Sequence, residues 1–403
     1  MKLHPQAIFE TLEDLVSWDK YEFQNDLIEG LSESERQEAK AGIQYLRTLL
    51  REDFLRCSKQ EGNPIFYWYF RDSAPSARRS LVRFAERLKA LEDASNFNGL
   101  VARLKKAETA AEALTVLDIG DKFRRAGFRV DFDPETASGS VPDIKLGDPN
   151  TEEDIYVEVS RLRKGGHEEL VSRTYHVLFD VVHYAIIADP EGAEDFTNRR
   201  FVRPYVRILK GLSDNELEEV SKKIVELGIE VRTKKEYREF TFRDSVEMAM
   251  SPAEDHSQAK AWAAERGMKD FVEAPPIPLD GIINKARAKV VKKSDQLPEE
   301  KPGIIVVPAN ESLLLFVSDP RQVIIEIAEE LGRRPSLLCA VLTHTFDGGE
   351  QEPFVVEMGQ HAVVSTTTSD FSTERSILVM NEIFGLSLSE SAVEKVRRAF
   401  IPN

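Results

Sequence analysis

The chain has 403 residues, of which 41% are hydrophobic and 31% are charged. This composition excludes a largely disordered chain, and the length predicts two or three domains of roughly 100 to 200 residues each. The formal net charge of −16 excludes a protein that coats nucleic acid with its whole surface, because phosphate contacts depend on Lys and Arg.

Cysteine content and hydropathy bear on the compartment. The two cysteines, Cys57 and Cys339, are far apart and form no CxxC pair, so neither a disulfide framework nor a thiolate zinc site is indicated. The N-terminal sequence has no apolar run of the signal-peptide type, and no stretch approaches the roughly 20 apolar residues that cross a bilayer. We therefore expect a cytoplasmic protein with no membrane partner.

The first hundred residues have a helical pattern. Ser32 and Glu35 have the spacing of a capping box, and apolar residues follow at helical intervals. We expect a separate helical domain over residues 1–106, with a surface available to a protein partner. The aromatic run Phe66–Phe70 allows two interpretations, a platform for unpaired bases or core packing, and the second is favoured because aromatic side chains mostly fill cores.

An α/β pattern begins at Thr109. A predicted helix to Ala126 is followed by strand-like runs at 128–132, 142–146 and 155–162. A helical stretch at about 168–187 and a strand at 202–209 complete a predicted core over residues 107–210.

The remaining sequence predicts an insertion and a return to the core. Residues 211–280 are charged, mostly helical in pattern and interrupted by prolines. Residues 281–403 start with a basic helix at 282–297 and a buried strand at 303–307, and we expect them to continue the same α/β domain.

Two of the predicted strands carry acids, Asp143 after Pro142 in the second strand and Glu158 in the third. A hairpin centred on the turn at 147–152 places Asp143 directly opposite Glu158, with β-carbons roughly 4.5–5.5 Å apart. Two carboxylates this close in an apolar sheet repel each other unless a cation neutralises them. The pattern therefore predicts a site for a hard ion such as Mg²⁺.

The order of a helix, a strand, Pro-Asp at the start of a second strand and Glu in a third resembles the PD-(D/E)xK nuclease superfamily over about residues 109–210. The resemblance implies a restriction endonuclease-like mixed sheet flanked by helices. It implies a phosphodiesterase that acts on nucleic acid, usually DNA, with Mg²⁺ or Mn²⁺, in defence, repair or mobile-element processes. Asp143, Glu158 and the carbonyl of Val159 would bind the ion.

The chain departs from this family at Ser160, which stands where the motif has a lysine that stabilises negative charge. Lys145 is the first candidate to replace it, because strand alternation puts Lys145 on the face of Asp143. Lys164 and Lys293 are alternatives that a loop or another helix would have to bring in. If no lysine serves, a catalytically degenerate fold that binds nucleic acid or assembles with proteins is the alternative.

A third acid of the site is expected on the first core helix. Glu112 shares a helical stripe with Val116, Ile119 and Phe123, so its carboxylate would point toward the sheet. Thr109 and Glu112 also have capping-box spacing, which would explain the pair without a metal. Asp118 is the second choice.

Basic residues near the motif are candidates for contacts to a nucleic-acid backbone. Arg161, Arg163 and Lys164 directly follow the third strand. On the basic helix, Lys292, Lys293 and Gln296 resemble the Lys and Gln found on a helix that flanks some sites of this family. A solvated helix face would explain the same residues.

Overall fold

A computed structural model describes residues 17–28, 30–70, 75–137, 139–151, 153–162, 166–182, 202–275, 279–309, 320–347, 353–359, 361–369 and 372–401. The chain divides into two compact units, of which the first comprises Met1–Leu162 with Leu279–Asn403 and the second comprises Arg163–Pro278. The boundaries between the two units lie after residues 162 and 278, whereas the sequence predicts domain boundaries at 106, 210 and 280. Within the described ranges, no helix is long and apolar enough to cross a membrane.

The N-terminal part of the first unit is helical. Ser32 forms the expected capping box with Glu35 at the start of the second helix. The helices, with one π-helical turn between α3 and α4, are α1 (Trp18–Leu27), α2 (Glu33–Leu50), α3 (Phe54–Glu61), the π-helical turn (Phe66–Phe70), α4 (Pro75–Ala90), α5 (Phe97–Leu104) and α6 (Ala107–Arg125).

These helices are not a domain of their own, which corrects the expectation for residues 1–106. One continuous hydrophobic core contains Leu46 of α2, Phe84 of α4 and Val157 of the sheet. The helical pattern identified the elements but carried no information on which surface their apolar faces would cover. In the aromatic run, Phe66 and Phe70 are buried, whereas Tyr67 and Trp68 are exposed.

The first unit is built on an eight-stranded mixed sheet with the order β1-β2-β3-β8-β9-β12-β11-β10. The pairs β3–β8 and β8–β9 are parallel, and the other pairs are antiparallel. The strands are β1 (Arg129–Phe132), β2 (Ile144–Gly147), β3 (Asp154–Val159), β8 (Gly303–Pro308), β9 (Leu337–Asp347), β10 (Phe354–Glu357), β11 (Ala362–Ser369) and β12 (Ser372–Met380).

Helices cover both faces of the sheet centre. One face packs against α6 and against the last helix, α12 (Glu390–Phe400). The opposite face lies under α10 (Leu279–Ser294), which contacts β8, and α10 packs beside α11 (Pro320–Leu331). Every residue of β8 is buried, as a central strand covered on both faces requires. After residue 281 the chain returns to the sheet that contains β1 to β3.

The second unit contains a separate four-stranded sheet with the order β5-β6-β4-β7. Its elements are α7 (Gly166–Asp180), β4 (Val202–Ile208), α8 (Asp214–Lys234), β5 (Arg238–Phe242), β6 (Val246–Pro252), α9 (Ser257–Glu265) and β7 (Val272–Glu273).

The expectation of a mostly helical insertion at 211–280 is therefore wrong in part. The buried run of β6 pairs with β4 along its whole length, although its short apolar sequence cannot be told from a buried helix by periodicity. The strand at 202–209 and the helix before it belong to this unit, not to the core expected over 107–210.

Candidate metal and phosphodiester site

The β2–β3 hairpin has the register that the sequence predicts. Ile144 lies opposite Val157 and Lys145 lies opposite Tyr156, so the next pair is Asp143 with Glu158. The charge of Asp143 raises the pKa of the Glu158 carboxyl. The two acids therefore share one face of the sheet and lie close together.

The turn of this hairpin is fixed at both ends. The Asp148 carboxylate accepts a hydrogen bond from the backbone N–H of Asn150 at 2.9 Å, as in an Asx turn. Lys395 of α12 binds Asp148 at 2.8 Å, and Ser389 of α12 donates to Glu153 through its hydroxyl and its backbone N–H. The last helix of the chain therefore anchors the turn that sets the register of the two acids.

Of the two acids, Glu158 is buried and Asp143 is half-buried. Glu158 is 1% exposed, and Asp143 accepts a hydrogen bond from the backbone N–H of Val159 at 2.9 Å. In an extended strand the N–H and the C=O of one residue point to the same side. The carbonyl of Val159 therefore lies on the edge that faces Asp143, where the resemblance expects a ligand.

Burial changes the titration of both acids. Burial and the charge of Asp143 raise the pKa of Glu158 to about 8, against the opposing effect of Lys293. Burial also raises the pKa of Asp143, although the Val159 N–H and the charge of Lys293 act in the opposite direction. The two carboxylates therefore cannot both ionise cheaply in this setting.

Lys293 of α10 is the cation that reaches the pair. Its Nζ donates a hydrogen bond to Oε2 of Glu158 at 2.7 Å. The Lys293 side chain is 20% exposed, so it lies at the border between the buried acid and the surface. The sequence identified Lys293 only as an alternative, because the distance between β3 and α10 along the chain hides their contact.

Lys145, the first candidate from sequence, does not take this place. Its Nζ lies 3.0 Å from Oδ2 of Asp154, at the far end of the hairpin. Lys145 does lie on the face of Asp143, as strand alternation requires, but Asp154 two positions along that face holds its charge. The expectation that Lys145 serves the pair is therefore corrected in favour of Lys293.

The expected third acid on α6 is also not at the site. Glu112 is exposed, whereas the stripe below it, from Val116 to Phe123, is buried. The alternative of a capping box at Thr109 is wrong as well, since α6 begins at Ala107 and Thr109 donates its hydroxyl hydrogen bond to Arg103. Asp118 forms an ion pair with Arg87.

The remaining candidates have mixed positions. Ser160 is buried, and its backbone N–H donates to Val306. Arg161 is half-buried, and Arg163 and Lys164 lie outside the described residues. Because α10 ends at Ser294 and not at 297, Gln296 lies in the following turn, where it is exposed.

A second cation lies near Asp143 that the sequence analysis missed. The backbone N–H of Asp133, just after β1, donates to the carbonyl of Asp143 at 3.0 Å. Arg103 of α5 lies 3.1 Å from the Asp133 carboxylate. No pattern in the sequence indicates that the end of α5 meets the end of β1.

The donor set fits a hard divalent cation. Carboxylate and carbonyl oxygens are the ligands that Mg²⁺ and Mn²⁺ take, and Mg²⁺ usually keeps several waters beside one or two protein carboxylates. Among the described residues, no group of three His, Cys, Asp or Glu side chains could hold a metal ion. At this point of the sheet, Asp143, Glu158 and the Val159 carbonyl are the oxygen donors that could hold an ion.

Comparison of the chain with protein-family models, with curated proteins and with solved structures gives no match.

Proposed function

We propose that this protein is a metal-dependent phosphodiesterase that cleaves nucleic acid, with DNA as the first substrate to test, and that its first unit has a restriction endonuclease-like core. The observation that carries the proposal is the hydrogen bond of 2.7 Å from Lys293 to the buried Glu158, beside the half-buried carboxyl of Asp143. Two acids and one ammonium group at one point are the side-chain types that the resemblance requires.

The fold supports the same proposal. Along the chain, α6 is followed by the antiparallel strands β1 to β3, and later by α10 and β8. The strands β1, β2, β3 and β8 lie side by side in that order in one mixed sheet, with β8 parallel to β3. The second unit enters the chain between β3 and α10.

The residues of the site would have different roles. Asp143 and Glu158 would bind Mg²⁺ or Mn²⁺ through their carboxylates, with the Val159 carbonyl as a further ligand. The ion, when bound, supplies a Lewis acid that polarises the phosphoryl oxygen. Lys293 would keep Glu158 in place and stabilise the negative charge that develops on the phosphoryl group.

A second function has an observation of its own. The ammonium of Lys293 already compensates part of the charge of the buried pair, and the chain carries a net charge of −16. Both facts suit a restriction-like fold that has lost catalysis and serves in nucleic-acid binding or protein assembly.

Cleavage assays separate the two functions. The protein is incubated with single-stranded DNA, double-stranded DNA and RNA in Mn²⁺, together with the variants Asp143→Asn and Asp154→Asn. Asp154 is the matched control because it is an acid of the same hairpin that pairs with Lys145. The enzyme is supported if Asp143→Asn abolishes cleavage and Asp154→Asn preserves it. The binding module is supported if the wild type cleaves none of the substrates.

A further inference from the structure

Arg103, in the last turn of α5, lies beside the acid pair on the side of β1. The β1–β2 register pairs Phe132 with Ile144, and the Asp133 N–H donates to the Asp143 carbonyl at 3.0 Å. Since Nη2 of Arg103 lies 3.1 Å from Oδ1 of Asp133, one residue connects the guanidinium to the backbone of Asp143.

The protein holds Asp133 in a specific conformation. Asn96 donates a hydrogen bond through Nδ2 to the second carboxylate oxygen, Oδ2, at 3.1 Å. The φ angle of Asp133 is +44°, in the left-handed region that Asp adopts more readily than most residues other than glycine. Phe132 next to it donates its N–H to the Ser95 carbonyl at 3.0 Å. The segment at Ser95–Asn96 therefore holds Asp133, which pairs with Arg103.

Arg103 has hydrogen-bonding capacity that this surrounding does not use. Its Nε and Nη2 atoms are buried, and neither forms a hydrogen bond of acceptable geometry with any residue that the structure describes. Asp133 provides charge at 3.1 Å but poor hydrogen-bond geometry, and one of its oxygens is taken by Asn96. Buried guanidinium donors without acceptors are unfavourable, so an anion that supplies acceptors would bind here.

Arg103 lies close to Asp143, since Asp133 contacts both residues. The side chain of Arg103 is 28% exposed, so it borders the surface, with its Nε and Nη2 atoms buried beneath it. The acid pair therefore has a cation from α10 and a second cation from α5.

We propose that Arg103 binds a backbone phosphate of the nucleic-acid substrate, next to the phosphate that lies at Asp143 and Glu158. The planar guanidinium matches two phosphate oxygens, which a lysine at the same place would not. Asp133 and Asn96 position Arg103. This inference rests on the proposed function, because it takes nucleic acid as the ligand.

The test is a binding measurement that does not need cleavage. The affinity of the full chain for fluorescein-labelled single- and double-stranded DNA is measured by anisotropy in Ca²⁺ at several salt concentrations, for Arg103→Gln, Arg103→Lys and Asp133→Asn. Arg124→Gln is the matched control, since Arg124 also pairs with one aspartate, Asp93, through Nη2 and is 34% exposed. Thermal unfolding of each variant checks that the fold is kept.

We expect Arg103→Gln to raise Kd about tenfold and to lower the slope of log K against log salt by about 0.7 to 0.9, the loss of one phosphate contact. Arg103→Lys and Asp133→Asn should keep the slope, because both retain the cation. Arg124→Gln should stay within about twofold of the wild type in Kd.

The outcomes for the two proposals can be told apart. If the wild type binds DNA in an Arg103-dependent way but cleaves nothing in Mn²⁺, the inference on Arg103 stands and the nuclease proposal fails. If Arg103→Gln behaves as Arg124→Gln does, or if the wild type binds no DNA, the inference on Arg103 is overturned. If Arg103→Gln behaves as Arg124→Gln does and the wild type still cleaves nucleic acid, only the nuclease proposal stands.

Discussion

Lys293 and Glu158 are 135 positions apart in the sequence, and Nζ of Lys293 lies 2.7 Å from Oε2 of Glu158. The Glu158 side chain is 2% exposed and the Lys293 side chain 20% exposed. The motif position two residues after Glu158 is occupied by Ser160, which is buried. A helix that follows the third strand by more than a hundred residues thus delivers the ammonium group to the acid pair.

Replacement of Lys293 separates charge stabilisation from metal binding. We expect Lys293→Met to lower kcat about 10²–10³-fold, the usual loss when one donor to a developing negative charge is removed. Mn²⁺ should bind at least as tightly as in the wild type, because a competing cation has been removed. Single-turnover cleavage and Mn²⁺ titration measure the two effects, with Lys292→Met, an exposed neighbour on α10, as the control. Equal cleavage by both variants would remove Lys293 from the site.

Replacement of Lys145 should have little effect on cleavage. The Lys145 ammonium pairs with Asp154, and both side chains are about a quarter exposed, so we expect Lys145→Gln to cost less than about 1 kcal/mol of unfolding free energy. Its kcat should stay within about threefold of the wild type. A loss as large as that of Lys293→Met in the same assay would contradict the assignment of the two lysines.

The stability of the metal-free protein should fall with rising pH because of Glu158. The folded-state pKa of Glu158 is about 8 and its ordinary value is 4.5, so the folded chain binds this proton more tightly than the unfolded chain. The contribution to stability is complete below pH 4.5 and is lost as the pH rises through about 8.

Thermal unfolding in a chelator checks this pH dependence. The midpoint of the wild type should decrease relative to that of Glu158→Gln, by several degrees across this pH range, because the glutamine cannot ionise. Added Mn²⁺ should restore the wild type and not the variant, since a ligand stabilises the state that binds it. Parallel pH profiles of the two proteins would show that Glu158 does not titrate in this range.

The local features of the site could be predicted from the sequence, whereas its long-range contacts could not. The spacing of Asp143 and Glu158 about the turn fixed their register, since antiparallel pairing follows from the turn position. The contacts of Lys293 with Glu158 and of Arg103 with Asp133 depend on which helix covers which part of the sheet. One amphipathic helix contains no information about the surface on which it packs.

In the second unit, the secondary structure itself depends on long-range pairing that the sequence does not reveal. The strand at β4 was expected, but its partner β6 (Val246–Pro252) was assigned to a helical insertion. Val246, Met248 and Met250 are buried against β4 and α8. The periodicity of a short apolar run does not distinguish a strand from a buried helix, and strand pairing is what distinguishes them here.

The anchoring of the hairpin by α12 should control both stability and activity. Lys395 is 11% exposed and Asp148 is 1% exposed, so Lys395→Met leaves a buried carboxylate without its partner, at a cost of about 3–5 kcal/mol. Because Asp148 lies in the turn that sets the Asp143–Glu158 register, cleavage by the folded fraction should also decrease. Denaturant unfolding and activity assays measure both effects. Arg398→Met, an exposed position of the same helix, should change neither, and equal effects of the two variants would argue against the anchor.

The number of Mn²⁺ ions bound at about pH 8, counted by electron paramagnetic resonance, tests most directly whether Asp143 and Glu158 form a metal site. We predict that Asp143→Asn binds one tight Mn²⁺ fewer than the wild type and than Asp154→Asn, while all three proteins keep the same far-ultraviolet circular dichroism. An unchanged number of bound ions in folded Asp143→Asn would contradict the account.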